Sequence, residues 1–120
     1  MKIWHDDVRE APEGWTRVKN NDEAKEILVA ARQGFEEVVE EISLDHDLGA
    51  EIPEDLPYDE ILYLKGWSED NGYELVKWMI EHDLVPPKIT IHSWNVIGRM
   101  KMASALNDAG YSCEIRPFQI

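Results

Sequence analysis

The chain has 120 residues, 43% of them hydrophobic and 9% aromatic, which is enough for one modest core and too little for a multidomain assembly. Twelve Lys and Arg face 25 Asp and Glu, a formal charge of −13, so long nucleic acid would meet net repulsion in place of the counterion release that drives sequence-independent binding. No run approaches the roughly 18 apolar residues of a membrane span, and Met1 to Asp6 lacks the apolar core of a signal peptide, so a soluble cytoplasmic protein is expected.

In chain order, residues 2–5 read as a short apolar strand stopped by Asp6-Asp7. Trp15 to Val18 reads as a second strand after the turn Ala11-Pro12-Glu13-Gly14, with room for only a loop between the two. Asn20 or Asn21 caps a helix that turns Ala24, Ile27, Leu28 and Ala31 inward and ends near Gly34. Glu41 to Leu44 is a third strand running into Asp45-His46-Asp47-Leu48-Gly49. From about residue 50 to 67 the chain is acidic and carries Pro53 and Pro57, a long insertion of the kind that is functional or disordered. Ser68 or Asp70 caps the next helix, with the stripe Leu75, Val76, Met79 and Ile80 and a stop at Pro86-Pro87. Lys88 to Ile91 is a fourth strand ending at His92-Ser93. A last helix from about Ile97 turns Met100, Ala103 and Leu106 inward and stops at Gly110, before a strand from Tyr111 to Ile115.

Alternating strands and helices predict a parallel sheet covered on both faces, because parallel crossovers need helix-length connections. With no internal repeat and no Gly/Ser linker, residues 1–120 form a single domain. Ligands of such sheets bind beyond the carboxyl ends of the strands, where the strand order reverses. That rule selects Asp6, Asp7, Asp45, His46, Asp47, His92, Ser93 and Arg116.

Asp6, Asp7, Asp45 and Asp47 gathered in one pocket would repel unless a divalent cation such as Mg²⁺ or Mn²⁺ joined them; each pair also suits a solvated turn. Cys113 is the single cysteine, so no internal disulfide forms, and a metal would take oxygen or imidazole ligands. In mid-strand, Cys113 reads as core filler. If the chain stays extended, Asp45 and Asp47 share one side and His46 takes the other. Ser93, Asn95, Gly98 and Arg99 surround a helix start whose free N–H groups suit an anion. His92 is either a structural or a catalytic histidine. Arg9 and Arg116 can fork onto a phosphoryl oxygen or pair with surface acids. Glu36-Glu37 and Glu40-Glu41 read as solvated faces, and Trp94 as a core or rim residue or a base-stacking one.

These residues resemble the receiver domain of response regulators: Asp6-Asp7 after strand one, Asp45 after strand three, Ser93 after strand four, and a basic residue followed by Pro117-Phe118 after strand five. The receiver lysine is Arg116 here and the first helix is a loop, two departures from the phospho-relay switch. The chain is more similar to the receiver-like family described as cyclic-phosphate-processing receiver domains, found in bacteria and their phages. The residues that carry this are Trp4-His5-Asp6-Asp7-Val8-Arg9, Pro12-Glu13-Gly14-Trp15, Ile42 to Gly49, Asn71-Gly72-Tyr73-Glu74 and His92 to Met100. Glu74 stands where the family more often has Asp, and the stretch 50–67 is longer and more acidic.

The resemblance implies a flavodoxin- or receiver-like three-layer sandwich with a five-stranded parallel sheet of order 2-1-3-4-5 and the first helix reduced to a loop. It implies metal-assisted hydrolysis of a cyclic phosphate, on a nucleotide or an RNA 2′,3′-cyclic end, in phage–host conflict or RNA repair. Asp45, His46, His92 and Ser93 would be catalytic; Arg9, Ser93, Asn95, Gly98, Arg99 and Arg116 would bind phosphate; Asp6, Asp7, Asp45 and Asp47 would hold Mg²⁺ or Mn²⁺. The competing expectations are a non-catalytic cyclic-nucleotide sponge, a receiver phosphorylated on Asp45, and an acidic interaction protein. A small nucleotide is the expected partner, neither membrane nor long nucleic acid is, and homo-oligomerisation is left open.

Overall fold

The computed structural model describes residues 1–46 and 71–116. Within them lie strands β1 (Lys2–His5), β2 (Thr16–Val18), β3 (Glu41–Leu44), β4 (Lys88–Ile91) and β5 (Glu114–Ile115), with helices α1 (Asn21–Arg32), α2 (Gly72–Glu81) and α3 (Val96–Asp108). The sheet is parallel throughout, in the order β2-β1-β3-β4-β5. The link from β1 to β2 is a loop with no helix, as expected. Asp47, Leu48, Gly49, the acidic stretch 50–67 and Pro117-Phe118 lie outside the described residues.

The crossovers β2-α1-β3, β3-α2-β4 and β4-α3-β5 all step the same way across the sheet, so their right-handedness puts all three helices on one face. The core bears this out: Ile3, Ile42, Leu44, Ile89 and Ile91 pack with Ala24 and Leu28 of α1, Leu75 and Met79 of α2, and Met102 and Leu106 of α3. Trp4, Ser43 and Thr90, buried and in register with one another, point to the opposite face. Trp15, in the returning β1–β2 loop, meets Trp4 edge to face there, with ring centroids 5.9 Å apart. A helix on that second face is not among the described residues.

Caps and burial correct several sequence expectations. Asn20 caps α1, as one of the two candidates, its side chain accepting from the Glu23 N–H. For α2 the cap is Asn71 and not Ser68 or Asp70, because the Asn71 side chain reaches the Glu74 N–H. In α3, capped by Asn95, the buried stripe is Gly98, Met102 and Leu106 at fourfold spacing, which leaves Met100 exposed on the far side of the helix. β5 is shorter than expected, an exposed edge strand paired only where Thr90 and Ile91 meet Glu114 and Ile115. Glu41 is buried beside Lys88, 3.7 Å away, in contrast to the exposed Glu36, Glu37 and Glu40. No helix among the described residues is long and apolar enough to cross a membrane.

Candidate active site at the sheet switch point

The order of the sheet reverses between β1 and β3, and both strands end there on an aspartate. Asp6 follows β1, is fully buried, and accepts four hydrogen bonds. Its Oδ1 takes the Val8 and Arg9 backbone N–H groups, each at 2.8 Å, and its Oδ2 takes Arg9 Nε and His92 Nε2, each at 3.0 Å. The two backbone bonds make a tight Asx-type turn, which an aspartate favours and a longer acid would not. Arg9 is thereby drawn back over the strand ends, where its Nη2 donates to the His92 carbonyl at 2.7 Å. Trp4 Nε1 donates to the Arg9 carbonyl at 3.2 Å and closes the loop.

His92 leaves β4 on the same face, fully buried, its ring stacked on Trp4 with centroids 3.8 Å apart and planes 5° from parallel. Its Nδ1 lies 2.7 Å from Ser43 Oγ. Asp45, exiting β3, orients its Oδ1 by accepting the His46 backbone N–H at 2.8 Å. Donor atoms of Asp6, Asp45 and His92 all lie within 4.8 Å of one another.

Burial alone would raise the Asp6 pKa, but the His92 hydrogen bond and the Arg9 and Val8 amides outweigh it and hold the carboxyl at about 2. Burial pushes His92 below the ordinary imidazole range, against the pull of Asp6 and with the help of Arg9. The pair is therefore an ionised carboxylate and a neutral imidazole that donates through Nε2. Both groups bind fewer protons folded than unfolded, so stability is full above about pH 6.5 and falls on acidification, first through His92. Asp6 takes a further share of about 2 kcal/mol as pH drops from the unfolded carboxyl value of 3.8 toward 2. Denaturant midpoints measured from pH 7 to pH 3 are expected to decline throughout; a midpoint constant to pH 4 would contradict a neutral buried His92.

A family model for the cyclic-phosphate processing receiver domain matches residues 1–108. The chain belongs to this family. No curated protein and no solved structure matches it. Shared membership covers β1 through α3, so every element that builds the rim of this cyclic-phosphate processing receiver domain lies inside the matched span.

The other described residues singled out in the sequence are placed variously, some beside the cluster and some away from it. His46 is buried on the opposite side of β3 from Asp45, its ring laid against α3 and its Nδ1 3.4 Å from Asn95 Nδ2. Ser93 is buried and its Oγ accepts the Asn95 N–H at 3.1 Å; Asn95 Oδ1 in turn accepts from Gly98 N. Arg99 donates to the Ser93 carbonyl at 3.4 Å from the first turn of α3. Asp7 is not one of the three clustered residues that could hold a metal. Arg116 pairs with Glu114 on the surface at the far edge strand. Cys113 is partly buried, and burial pushes its thiol pKa up, away from nucleophilic use.

Two contributors, Ser43 and Trp4, were not among the expected site residues. Both stand two positions before a rim residue, Asp45 and Asp6, and the period-2 alternation of a strand puts each on its partner's face. That periodicity was the available signal.

Gly98 explains the placement of His46. A Cβ at residue 98 would stand 2.4 Å from His46 Cγ and 2.6 Å from Cδ2. Gly98→Ala is expected to push the ring out of its seat. The gain in helix propensity, roughly 1 kcal/mol, offsets the clash in global stability. A histidine ring-proton spectrum that shows His46 unmoved in G98A would refute the fit.

Proposed function

We propose that this domain hydrolyses a cyclic phosphate, on a nucleotide or an RNA 2′,3′-cyclic end, with a divalent cation at Asp6, Asp45 and His92. The observation that carries the reading is the convergence of two carboxylates, an imidazole and the Arg9 guanidinium at the switch point of a chain in the cyclic-phosphate processing family. The donor set suits a divalent cation: two carboxylates offset its charge, and an imidazole among them favours Mn²⁺ over Mg²⁺, which prefers oxygen alone. When bound, such an ion neutralises phosphoryl charge and activates water.

The chain's own residues account for the rest. Arg9, Arg99 and the positive amino-terminal end of α3 bind the non-bridging oxygens, which overcomes the repulsion a −13 chain presents to phosphate. Asp45, oriented by the His46 amide, accepts the proton of the attacking water. His46, seated between Gly98 and Asn95, returns a proton to the leaving ring oxygen as its bond to phosphorus breaks. Asp6 and His92, fully buried, hold this frame. The substrates are the cyclic phosphates produced in phage–host conflict or RNA cleavage.

Phosphorus NMR of 2′,3′-cyclic AMP incubated with the protein and Mn²⁺ tests the reading. After removal of the metal, a new phosphomonoester resonance, lost in H46A, is expected. Ligand recovered intact after denaturation would make the domain a sponge and overturn hydrolysis.

A further inference from the structure

Ser43, His92 and Asp6 form a chain of three buried groups, Oγ to Nδ1 at 2.7 Å and Nε2 to Oδ2 at 3.0 Å. Serine, histidine and aspartate in line suggest a nucleophilic triad, but Ser43 is fully buried in mid-strand and no substrate atom reaches it. Its role must be exerted through His92. Asp6 already accepts two backbone N–H groups and the Arg9 guanidinium, so the arrangement assigns the ring proton to Nε2, which leaves Nδ1 with its lone pair and Ser43 as the donor. That is the wrong tautomer for a metal ligand, because the nitrogen that faces the cluster is the one that is protonated.

We propose that Ser43 is a positioning residue that allows His92 to exchange tautomers when a divalent cation is bound. Nε2 loses its proton to solvent and Nδ1 gains one, so the ring stays neutral and no net proton is released. The Ser43 hydroxyl, which is both donor and acceptor, turns from donating to Nδ1 to accepting from it. Nε2 is then free to ligate while Asp6 keeps its other three donors. The stack on Trp4 holds the ring plane through the exchange. Metal-bound histidines depend on such a partner at the second nitrogen, and its loss costs about 10- to 100-fold in metal affinity. An aliphatic residue at position 43 would leave Nδ1–H buried without an acceptor.

The inference rests on the proposed cation site and is tested separately from turnover. Long-range ¹H–¹⁵N spectra of the histidine rings, recorded on the full chain with and without one equivalent of Zn²⁺ as a diamagnetic probe, read the tautomer directly. The expected result is an Nε2–H ring at His92 without metal and an Nδ1–H ring with it. Ser43→Ala, nearly isosteric, is expected to keep the Nε2–H ring without metal and to bind Zn²⁺ about 10- to 100-fold more weakly. Equal affinity in S43A overturns the exchange and leaves the hydrolytic reading intact, whereas Zn²⁺ bound with His92 still Nε2–H overturns the exchange and removes His92 from the proposed cation site. Zn²⁺ taken only at other histidines, or not at all, overturns both the exchange and the cation site.

Discussion

Asp6→Asn is expected to cost about 3 kcal/mol of folding stability and to abolish turnover, although the two side chains have the same size. The carboxylate serves four donors, and an amide cannot. If the Asn oxygen keeps the Val8 and Arg9 amides, its NH₂ confronts Arg9 Nε–H and the His92 Nε2–H, donor against donor. Arg9 also loses the anion that balances it in a partly buried position. Asp45→Asn provides the contrast, because Asp45 sits at the rim, slightly exposed, with an oxygen turned to the His46 amide that an amide oxygen can replace. Urea denaturation of both variants, set beside phosphorus NMR turnover, separates the roles: D6N loses stability and activity, D45N mainly activity. Equal stability of D6N and wild type would show that Asp6 is not the hub of the rim.

Gly72→Ala is expected to be as damaging, for a reason that lies in the backbone. A Cβ there would stand 2.0 Å from the Asp45 carbonyl oxygen and 2.7 Å from Met102 Cε. The methionine tip can move, but the carbonyl belongs to the exit of β3, and the Gly72 N–H is itself bonded to the neighbouring His46 carbonyl at 3.0 Å. Overpacking against main chain costs about 3 kcal/mol, or a fall in Tm on the order of 10 °C for a domain of this size. Relief of the clash must shift the Asp45–His46 peptide, so residual activity is expected to drop further than stability does. A thermal melt within 2 to 3 °C of wild type, on the order of 0.5 kcal/mol, would mean that β3 and α2 do not meet this closely.

The central strands and the switch point were legible because their signals are local. β1, β3 and β4 are apolar runs each cut by an acid or histidine, and the register then brings Asp6, Asp45 and His92 level without further information. The helix details were less legible. Ser68, Asp70 and Asn71 all have capping side chains, and only the three-dimensional reach of Asn71 to the Glu74 amide distinguishes them. In α3 apolar residues lie all around the helix, so Met100 and Met102 look alike until the sheet chooses a side. The third member of the cluster followed the same logic: Asp7 is adjacent to Asp6 in sequence, but His92 is adjacent in space, two strands away. Ser43 was hidden for another reason, since its importance lies in a hydrogen bond to a residue 49 positions away.

Chemical-shift mapping gives the most direct test of a single ligand site at this rim. Backbone amide spectra recorded during titration with 2′,3′-cyclic AMP and Mg²⁺ are predicted to move at residues 5–9, 43–46 and 92–99. The amino-terminal ends of the strands and the separate groove between α1 and α2, lined by Lys25, Lys77, Trp78 and Glu81, should stay unperturbed. Shifts confined to that groove, or absent with saturating nucleotide, would contradict the account.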